Sequence, residues 1–199
     1  MQIGGIVLCG GQSQRMGQPK AWLPFGEERM LPRIVRIVTE VVSPVVVVAA
    51  PGQAIPPLPD SVLICRDEQE KRGPLQGLLA GLLALQGQCD AVYLSSCDVP
   101  FLKTSFIQRM IDLLGDHSIV VPEVDGYFHP LAAVYRLDVL PVIQRLLKED
   151  RLRPVFLFDE VPTRKVKQED LQEADPELKS LWNLNTPEEY ALALEAFPS

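Results

Sequence analysis

Apolar residues follow two different periods along the chain, and together they predict strands that alternate with helices. The strand-like segments are short, continuously apolar runs that end in glycine, proline or polar residues. Such runs are typical of strands that are buried on both faces of a sheet. They span residues 3–9, 45–50, 62–65, 91–95, 119–122 and 131–135.

The segments between these runs carry apolar stripes at helical spacing. Within residues 75–83, leucines occur at positions i, i+3, i+4, i+7 and i+8, the pattern of a helix packed on one side. The last predicted helix has a well-marked beginning, because Thr186 as N-cap, Pro187 in the first turn and Glu189 three residues after the cap form a capping box. Further helical stripes lie within 31–42, 106–114 and 139–147.

Strands that alternate with helices predict an α/β fold of three layers, in which a mostly parallel central sheet lies between two layers of helices. No repeat, charge block or low-complexity segment interrupts the 199 residues, so we expect a single domain over residues 1–199. Ligands of such sheets bind beyond the carboxyl ends of the strands. Functional residues are therefore expected directly after strands.

The charge composition narrows the class of ligand. The chain is 47% hydrophobic, and its 19 Lys and Arg residues against 26 Asp and Glu residues give a net charge of −7. A groove for nucleic acid needs a dense basic face, so we expect no nucleic acid partner. One small phosphorylated molecule remains compatible with this charge if a few cations are focused at one place.

The beginning of the chain and the cysteines predict where the protein works. The first residues carry no basic leader, and no apolar run approaches the ~20 residues that span a membrane, so we expect a cytoplasmic protein without a membrane partner. The four cysteines form no CxxC pair, which indicates buried free thiols and neither a zinc site nor a redox dithiol. They are Cys9, Cys65, Cys89 and Cys97.

The loop after the first strand, within residues 8–20, has the chemistry of a phosphate-binding loop. Its three glycines leave backbone N–H groups able to point at a ligand, and Arg15 and Lys20 add positive charge. The spacing of the glycines matches neither the Walker A motif nor the dinucleotide-binding fingerprint. The alternative is a plain surface loop, but it does not explain two cations between glycines on an acidic protein.

A second candidate follows the strand-like run at 91–95. Asp98 stands where the carboxyl end of a strand meets the expected ligand crevice, a favoured place for a carboxylate that holds Mg²⁺ against phosphate oxygens. An aspartate before a turn is also a common way to close a loop, so this position alone leaves both interpretations open.

These segments resemble the molybdenum cofactor nucleotidyltransferases. Residues 8–20 are similar to the signature GG-x-S-x-R-M-G-x-x-K of that family, and residues 97–100 are similar to its C-D-x-P segment. The similarity extends from Ile6 to Tyr190, and its motifs resemble most those of the guanylyltransferase, or MobA-like, branch. It implies a Rossmann-like fold of the nucleotide-diphospho-sugar-transferase type and one nucleotidyltransferase domain.

The resemblance also implies roles for individual residues. Arg15, Lys20 and Asp98 are the expected catalytic residues, with Arg15 facing the triphosphate and Asp98 binding magnesium. An acidic residue before a Gly-Pro-Leu segment contacts the nucleotide in the family, and Asp67 has that place here, with Gly73 expected to allow a close approach. The implied nucleotide-binding residues are Leu8, Cys9, Gly10, Gly11, Ser13, Lys20, Asp67 and Asp98.

Two later segments resemble the part of the family's site that binds the acceptor. Residues 127–136 are similar to H-P-L-x-A-x-Y, which makes His129 an acceptor-side residue, for binding or packing and not as a general base. Residues 182–189 are similar to N-x-N-T-P-E-E, in which Asn183 and Asn185 alternate on an extended segment and can face the same crevice. The alternative for Asn185 is that it only takes part in the start of the following helix.

The resemblance implies a specific reaction. The enzyme would transfer GMP from GTP to molybdenum-molybdopterin, with Mg²⁺ as cofactor, to form molybdopterin guanine dinucleotide and pyrophosphate. Proteins that deliver the acceptor and mature molybdoenzymes are the expected partners. Two alternatives remain. The first is a CTP-dependent molybdenum cofactor cytidylyltransferase, which has a very similar first loop; residues 49–51 lack the asparagines that family members often carry there, so base recognition is left open. The second is a non-catalytic nucleotide sensor.

Overall fold

A computed structural model of the protein describes residues 1–10, 18–67 and 72–197. The strands are β1 (Ile3–Leu8), β2 (Pro24–Phe25), β3 (Glu28–Arg29), β4 (Val45–Ala49), β5 (Val62–Arg66), β6 (Ala91–Ser96), β7 (Ile119–Val124), β8 (Tyr127–Phe128), β9 (Ala133–Arg136) and β10 (Thr163–Lys167). The α-helices are α1 (Met30–Thr39), α2 (Gly73–Ala84), α3 (Thr104–Asp112), α4 (Leu140–Lys148), α5 (Gln168–Gln172) and α6 (Pro187–Ala196).

The central sheet has the strand order β10-β7-β9-β6-β1-β4-β5, and β8 pairs with β7 beside this series. Strand β1 runs parallel to both of its neighbours, β4 and β6, and β5 runs parallel to β4. Strand β9 is antiparallel to β6 and β7. The carboxyl ends of β1, β4, β5 and β6 therefore meet at one edge of the sheet, as the sequence predicts.

Both faces of the sheet are covered by helices. In β4, Val45 and Val47 belong to a buried cluster that includes side chains of α1 and α3. The alternate residues Val46 and Val48 belong to a second cluster with side chains of α2 and α4. Because successive side chains of a strand point to opposite faces, a strand covered on both sides has to be apolar throughout. The expected three-layer α/β architecture is confirmed.

Several elements differ from the sequence prediction. Strand β9 begins at Ala133, two residues later than predicted, and strands β2, β3 and β8 were not predicted because each has only two residues. Strand β10 lies at the edge of the sheet, and within it only Val166 is buried, so it carries no apolar run. The five-residue helix α5 is too short to show a helical stripe.

The predicted capping box at the start of α6 is confirmed. The Thr186 side chain accepts from the backbone of Glu189, and the Glu189 side chain accepts from the backbone of Thr186. Gly73 has φ +72°, a left-handed backbone that favours glycine, and the nearest described protein atom to an added Cβ would lie at an ordinary 3.5 Å. The predicted close approach of a nucleotide to Gly73 stays a prediction.

The cysteines and the helices also bear on the sequence predictions. All four cysteines are free thiols; Cys9, Cys89 and Cys97 are buried, and Cys65 is partly exposed on the edge strand β5. Within the described ranges, none of the helices combines the length and the apolar character that crossing a membrane requires. The single domain over residues 1–199 stays a prediction.

Candidate active site

Asp98 lies just beyond the carboxyl end of β6, and the fold holds its backbone from two sides. The Cys97 N–H donates to the Leu8 carbonyl at 3.0 Å, which continues the pairing of β6 with β1. The Leu184 N–H donates to the Asp98 carbonyl at 2.9 Å. This bond joins residues 183–185, here called the asparagine segment, to the loop that carries Asp98. Only 8% of Asp98 is exposed, so its carboxylate is a nearly buried charge. Such a charge needs partners.

Lys20 provides the opposite charge. Its Nζ lies 2.6 Å from Oδ2 of Asp98, although the two residues are 78 positions apart in the chain. Nζ also donates to Oδ1 of Asn185 at 3.0 Å. Lys20 begins a single 3₁₀ turn whose next residue, Ala21, is buried and anchors the turn in the core. The structure thus brings together three residues that the sequence predicted for one site.

The second oxygen of the Asp98 carboxylate is held by neutral groups. Oδ1 accepts from the Ser96 hydroxyl at 2.6 Å and from the Asn183 amide at 3.0 Å. The same Asn183 amide also donates to Ser96 Oγ at 3.2 Å. Sequence reasoning missed Ser96. Ser96 is the last residue of the buried strand β6, two residues before the aspartate, and this position is the signal that points to it.

Side chains alternate in direction along the asparagine segment, which explains why both asparagines reach Lys20 and Asp98. Leu184 lies between them and is fully buried, so Asn183 and Asn185 project away from its side. Leu184 packs in a small cluster with Leu23, Phe25, Met30 and Ala193. The capping box of α6 begins directly after Asn185, which holds the segment at its other end.

The loop after Asp98 is held by cationic and aromatic contacts. Arg33 of α1 donates from Nε to the Pro100 carbonyl at 2.8 Å. The Phe101 ring stacks on Trp182 with a centroid distance of 5.3 Å. These contacts join the loop that carries Asp98 to α1 on one side and to the asparagine segment on the other.

The first loop is described only at its two ends. Leu8 ends β1, and Cys9 and Gly10 follow it at the edge of the sheet where the parallel strands end. An added Cβ at Gly10 would lie 3.4 Å from the backbone nitrogen of Ala50, so the end of β1 passes close to the end of β4. Gly11, Ser13, Arg15 and Gly17 lie outside the described residues, and their predicted roles stay predictions.

Gln53 joins the ends of β1 and β4, and sequence reasoning did not find it. Its side-chain oxygen accepts from the Ala50 N–H at 3.0 Å, and its Nε2 donates to the Cys9 carbonyl at 3.0 Å. Nothing in the local sequence marks this glutamine, because its partners come together only when the two strands pair.

Two buried thiols lie under this edge of the sheet. Cys9 follows Leu8 of β1, and Cys97 follows Ser96 of β6, which is the residue that pairs with Leu8. The two thiols form a hydrogen bond with each other. This hydrogen bond and burial raise the pKa of the Cys97 thiol, so it stays protonated at neutral pH. The pair belongs to the apolar cluster below the site.

The remaining predicted residues lie around the cluster. Asp67 stands at the carboxyl end of β5, and its N–H donates to the Ala49 carbonyl at 2.9 Å. His129 lines a separate cavity of about 400 Å³, together with Trp182 and Lys179. Burial lowers the pKa of His129 and so favours a neutral imidazole. The nearby charge of Asp125 has a smaller effect in the opposite direction. Since Trp182 precedes Asn183, the cavity adjoins the asparagine segment.

The arrangement is suited to phosphate chemistry at a strand edge. A flexible ammonium and a fixed carboxylate face each other with amide groups beside them. An ammonium can neutralise phosphate oxygens, and a carboxylate is a preferred ligand of Mg²⁺. Over residues 1–10, 18–67 and 72–197, no group of three or more His, Cys, Asp or Glu side chains is placed to hold a metal. The described residues thus bring one carboxylate to this cluster.

Known proteins are similar to this chain in sequence and in fold. Residues 5–164 match the family model described as the MobA-like NTP transferase domain. A molybdenum cofactor guanylyltransferase from Desulfosudis oleivorans is 34% identical over 189 residues, which cover 94% of this chain and 92% of that protein. The family that the sequence motifs resemble is therefore confirmed.

Solved structures show the same fold at lower identity. The molybdopterin-guanine dinucleotide biosynthesis protein A from Archaeoglobus fulgidus superposes with a TM-score of 0.78 at 19% identity, with 97% of each chain covered. Rv0371C from Mycobacterium tuberculosis H37Rv, in complex with manganese, superposes with a TM-score of 0.66 at 16% identity, with 99% of this chain and 100% of that chain covered. The expected nucleotide-diphospho-sugar-transferase-like fold is confirmed.

Proposed function

Since this chain belongs to the MobA-like NTP transferase family and is a nucleotidyltransferase, we propose that it transfers GMP from GTP to molybdenum-molybdopterin. The products would be molybdopterin guanine dinucleotide and pyrophosphate. One observation carries this proposal: Lys20, Asp98, Asn183 and Asn185, from three distant segments, form one hydrogen-bonded cluster beyond the carboxyl end of β6. Its relative from Desulfosudis oleivorans is named for the same activity.

The chemistry asks the protein mainly to position substrates and to neutralise charge. An oxygen of the acceptor's terminal phosphate forms a bond to the α-phosphorus of GTP, and the bond from that phosphorus to the β-phosphate oxygen breaks. The acceptor phosphate is already ionised near neutral pH, so no general base is required. Lys20, and Arg15 from the first loop, offset the charge that gathers on the leaving pyrophosphate.

Asp98 fits the role of a magnesium ligand. Its carboxylate is nearly buried just beyond the carboxyl end of β6 and already has a cationic group at Oδ2. Bound Mg²⁺ would supply neutralisation of the phosphate oxygens. Ser96 and Asn183 hold the carboxylate in one orientation through Oδ1.

The nucleotide and the acceptor would approach the cluster from different sides. Leu8, Cys9 and Gly10, with Gly11 and Ser13, would bind the triphosphate through the first loop, and Asp67 would contact the nucleoside from the end of β5. Asn183, Asn185 and His129 would bind the acceptor. The cavity lined by His129 and Trp182 adjoins the asparagines, which supports this division. The protein is expected to work in the cytoplasm with proteins that deliver the acceptor and receive the product.

The proposal is tested by guanylyl transfer in two variants. Lys20→Ala and Asp98→Ala should each lose about 100- to 1,000-fold in rate, as is common when one group that stabilises transition-state charge is removed. Release of pyrophosphate measures the rate, and circular dichroism checks that each variant is folded. Lys167→Ala is the matched control, because it breaks an exposed Lys–Glu pair of the same 2.6 Å length at the β7–β10 pairing.

The same assay decides between the alternatives. With Mg²⁺ and acceptor present, GTP and CTP are supplied separately; a cytidylyl product without a guanylyl product would replace our proposal with the cytidylyltransferase. Binding of GTP without pyrophosphate release at saturating acceptor would favour the nucleotide sensor.

Near-normal transfer by Lys20→Ala or Asp98→Ala would remove the role assigned to that residue.

A further inference from the structure

We infer that Lys20 occupies the cation position at Asp98 until a nucleotide binds, so that a divalent metal and a triphosphate enter this site together. The inference rests on the proposed function in so far as the anionic ligand is a nucleoside triphosphate. The exchange of Lys20 for a metal at Asp98 is independent of which nucleotide the enzyme transfers and to which acceptor.

The two oxygens of the Asp98 carboxylate have partners of different kinds. Oδ1 accepts from the neutral donors Ser96, at 2.6 Å, and Asn183, at 3.0 Å. Oδ2 lies 2.6 Å from the ammonium of Lys20. The neutral donors belong to a strand end and to a segment anchored by a buried leucine, whereas the ammonium is at the end of a four-carbon side chain. Oδ2 is therefore the oxygen that can exchange its partner.

A divalent cation at Oδ2 would lie next to this ammonium. Both are positive, and at contact distance their repulsion is strong unless water screens it. The side chains of Lys20 and Asp98 are only 17% and 12% exposed, so screening is weak. The metal-free protein is thus balanced by an internal cation, and an external one has to displace it.

A triphosphate offers Lys20 a better partner than the one it leaves. The ammonium already donates a second hydrogen bond, to Oδ1 of Asn185 at 3.0 Å, so it can turn without losing all its contacts. Phosphate oxygens carry more negative charge than one carboxylate, and Lys is a common phosphate ligand. When Lys20 turns towards the phosphates, Oδ2 becomes available in the same step.

The ligand chemistry of Mg²⁺ agrees with joint entry. Mg²⁺ is usually held by one or two carboxylates, with substrate phosphates and water completing its octahedron. Asp98 contributes one carboxylate, and the triphosphate contributes the further oxygens. Lys20 then acts as a gate on the metal: it keeps the carboxylate neutralised in the free enzyme and is released by the substrate that brings the remaining ligands.

The test measures metal binding without nucleotide, with Mn²⁺ as the probe and electron paramagnetic resonance as the readout. Lys20→Met, which removes the ammonium, should bind Mn²⁺ at least about tenfold more tightly than the wild type. Lys20→Arg, which keeps a cation, should behave like the wild type. A second substitution, Asp98→Asn, should abolish the gain in the Lys20→Met protein and so locate the metal at this carboxylate.

A matched control separates the local effect from the change in net charge. Lys167→Met removes the same charge and frees Glu123 from a pair of the same 2.6 Å length. It should leave both Mn²⁺ binding and guanylyl transfer as in the wild type. If Lys20→Met does not fold, Lys20→Gln keeps a hydrogen-bond donor near Oδ2 without the charge and should show the same gain.

Equal Mn²⁺ affinity of the wild type and Lys20→Met would overturn the inference, whether or not the enzyme transfers a guanylyl group. An equal gain in Lys167→Met would overturn it too, because the effect would then be one of net charge. A gain confined to Lys20→Met, together with a wild-type protein that transfers neither GMP nor CMP, would support the inference and refute the proposed function. The two failures are therefore distinguishable.

Discussion

The Asp98 carboxylate illustrates at the residue scale how a strand end becomes a charged site. It is nearly buried, and each of its oxygens has a partner within 3.0 Å. Breaking a buried charged pair by removing one partner is usually strongly destabilising, because an uncompensated charge remains. The neutral donors Ser96 and Asn183 share this task with Lys20, so the carboxylate has fixed contacts that do not depend on the lysine.

We expect Ser96→Ala to lower the rate of guanylyl transfer by about tenfold. A hydrogen bond to a charged group contributes about 1.5–3 kcal/mol, and each 1.4 kcal/mol is about a factor of ten. Without the Ser96 hydroxyl, Oδ1 keeps only the Asn183 amide and the carboxylate is less well oriented. Initial rates of pyrophosphate release at saturating GTP measure the effect.

Ser95→Ala is the control for that substitution. Ser95 is also buried and donates to the Ser96 carbonyl at 3.2 Å, but its hydroxyl is not bonded to Asp98. Its removal should change the stability slightly and the rate hardly at all. A rate for Ser96→Ala as high as that of Ser95→Ala would show that the hydroxyl does not position the carboxylate.

At the scale of elements, two glycines of α2 let this helix lie close to the sheet beside β1. An added Cβ at Gly81 would lie 2.7 to 2.9 Å from three side-chain carbons of Ile6, and Ile6 is fully buried in the interior strand β1. An added Cβ at Gly77 would lie 3.1 Å from Cδ2 of Leu8. The contact at Gly81 is therefore rigid on both sides, whereas the contact at Gly77 ends on the tip of a flexible side chain.

We expect Gly81→Ala to destabilise the protein although alanine favours a helix. Overpacking of a core costs about 1–3 kcal/mol, which exceeds the ~1 kcal/mol that alanine gains over glycine in a helix interior. Gly77→Ala should be neutral or slightly stabilising, since the Leu8 side chain can shift by a few tenths of an ångström. Urea unfolding of both variants measures the two free energies; a Gly81→Ala protein as stable as Gly77→Ala would contradict the packing argument.

Elements also differ in how far sequence alone predicts them. The apolar period reveals strands and helices that are buried along their length, such as β4 and α1. It does not reveal β10, in which a single residue is buried, or the two-residue strands β2 and β8. Such elements form because a neighbouring strand or loop offers hydrogen bonds, and that neighbour is not visible in the local sequence.

For the molecule as a whole, the net charge of −7 has to be compared with the distribution of its cations. A cation of the first loop, Lys20, lies beside Asp98 at the strand ends, and this is where we propose that phosphates bind. Other cations form ion pairs elsewhere, as Arg145 does with Glu160 and Lys103 does with Asp175. The acidic surface and a single phosphate-binding place are thus compatible.

The stability of the whole molecule should depend on pH through His129. Burial places the pKa of His129 below its ordinary value of 6.5 in the folded protein. The unfolded chain then binds a proton more readily than the folded one, so the contribution of neutral His129 is present above pH 6.5 and is lost as the pH falls through the lowered pKa.

Substitution of this histidine isolates the effect. Between about pH 7.5 and pH 5.5 the wild type should lose more free energy of unfolding than His129→Gln does, because the other titrating groups are common to both. Urea unfolding at the two pH values measures the difference. An equal loss in both proteins would show that His129 does not titrate with a lowered pKa.

The sequence by itself determined the order of the main elements, the three-layer architecture and the strand ends at which to look for chemistry. Burial on both faces requires continuous apolar runs, and parallel strands bring their carboxyl ends to one edge, so both conclusions follow from local patterns. The family motifs pointed to Lys20, Asp98, Asn183 and Asn185 as members of one site.

Only the tertiary structure decided how these residues contact one another. The partnership of Lys20 with Asp98, the support from Ser96 and the link made by Gln53 depend on strand register and on the burial of Leu184. Hydrogen bonds between residues far apart in the chain require a match of a few tenths of an ångström, which packing of the whole core sets. A local pattern carries no information at that precision.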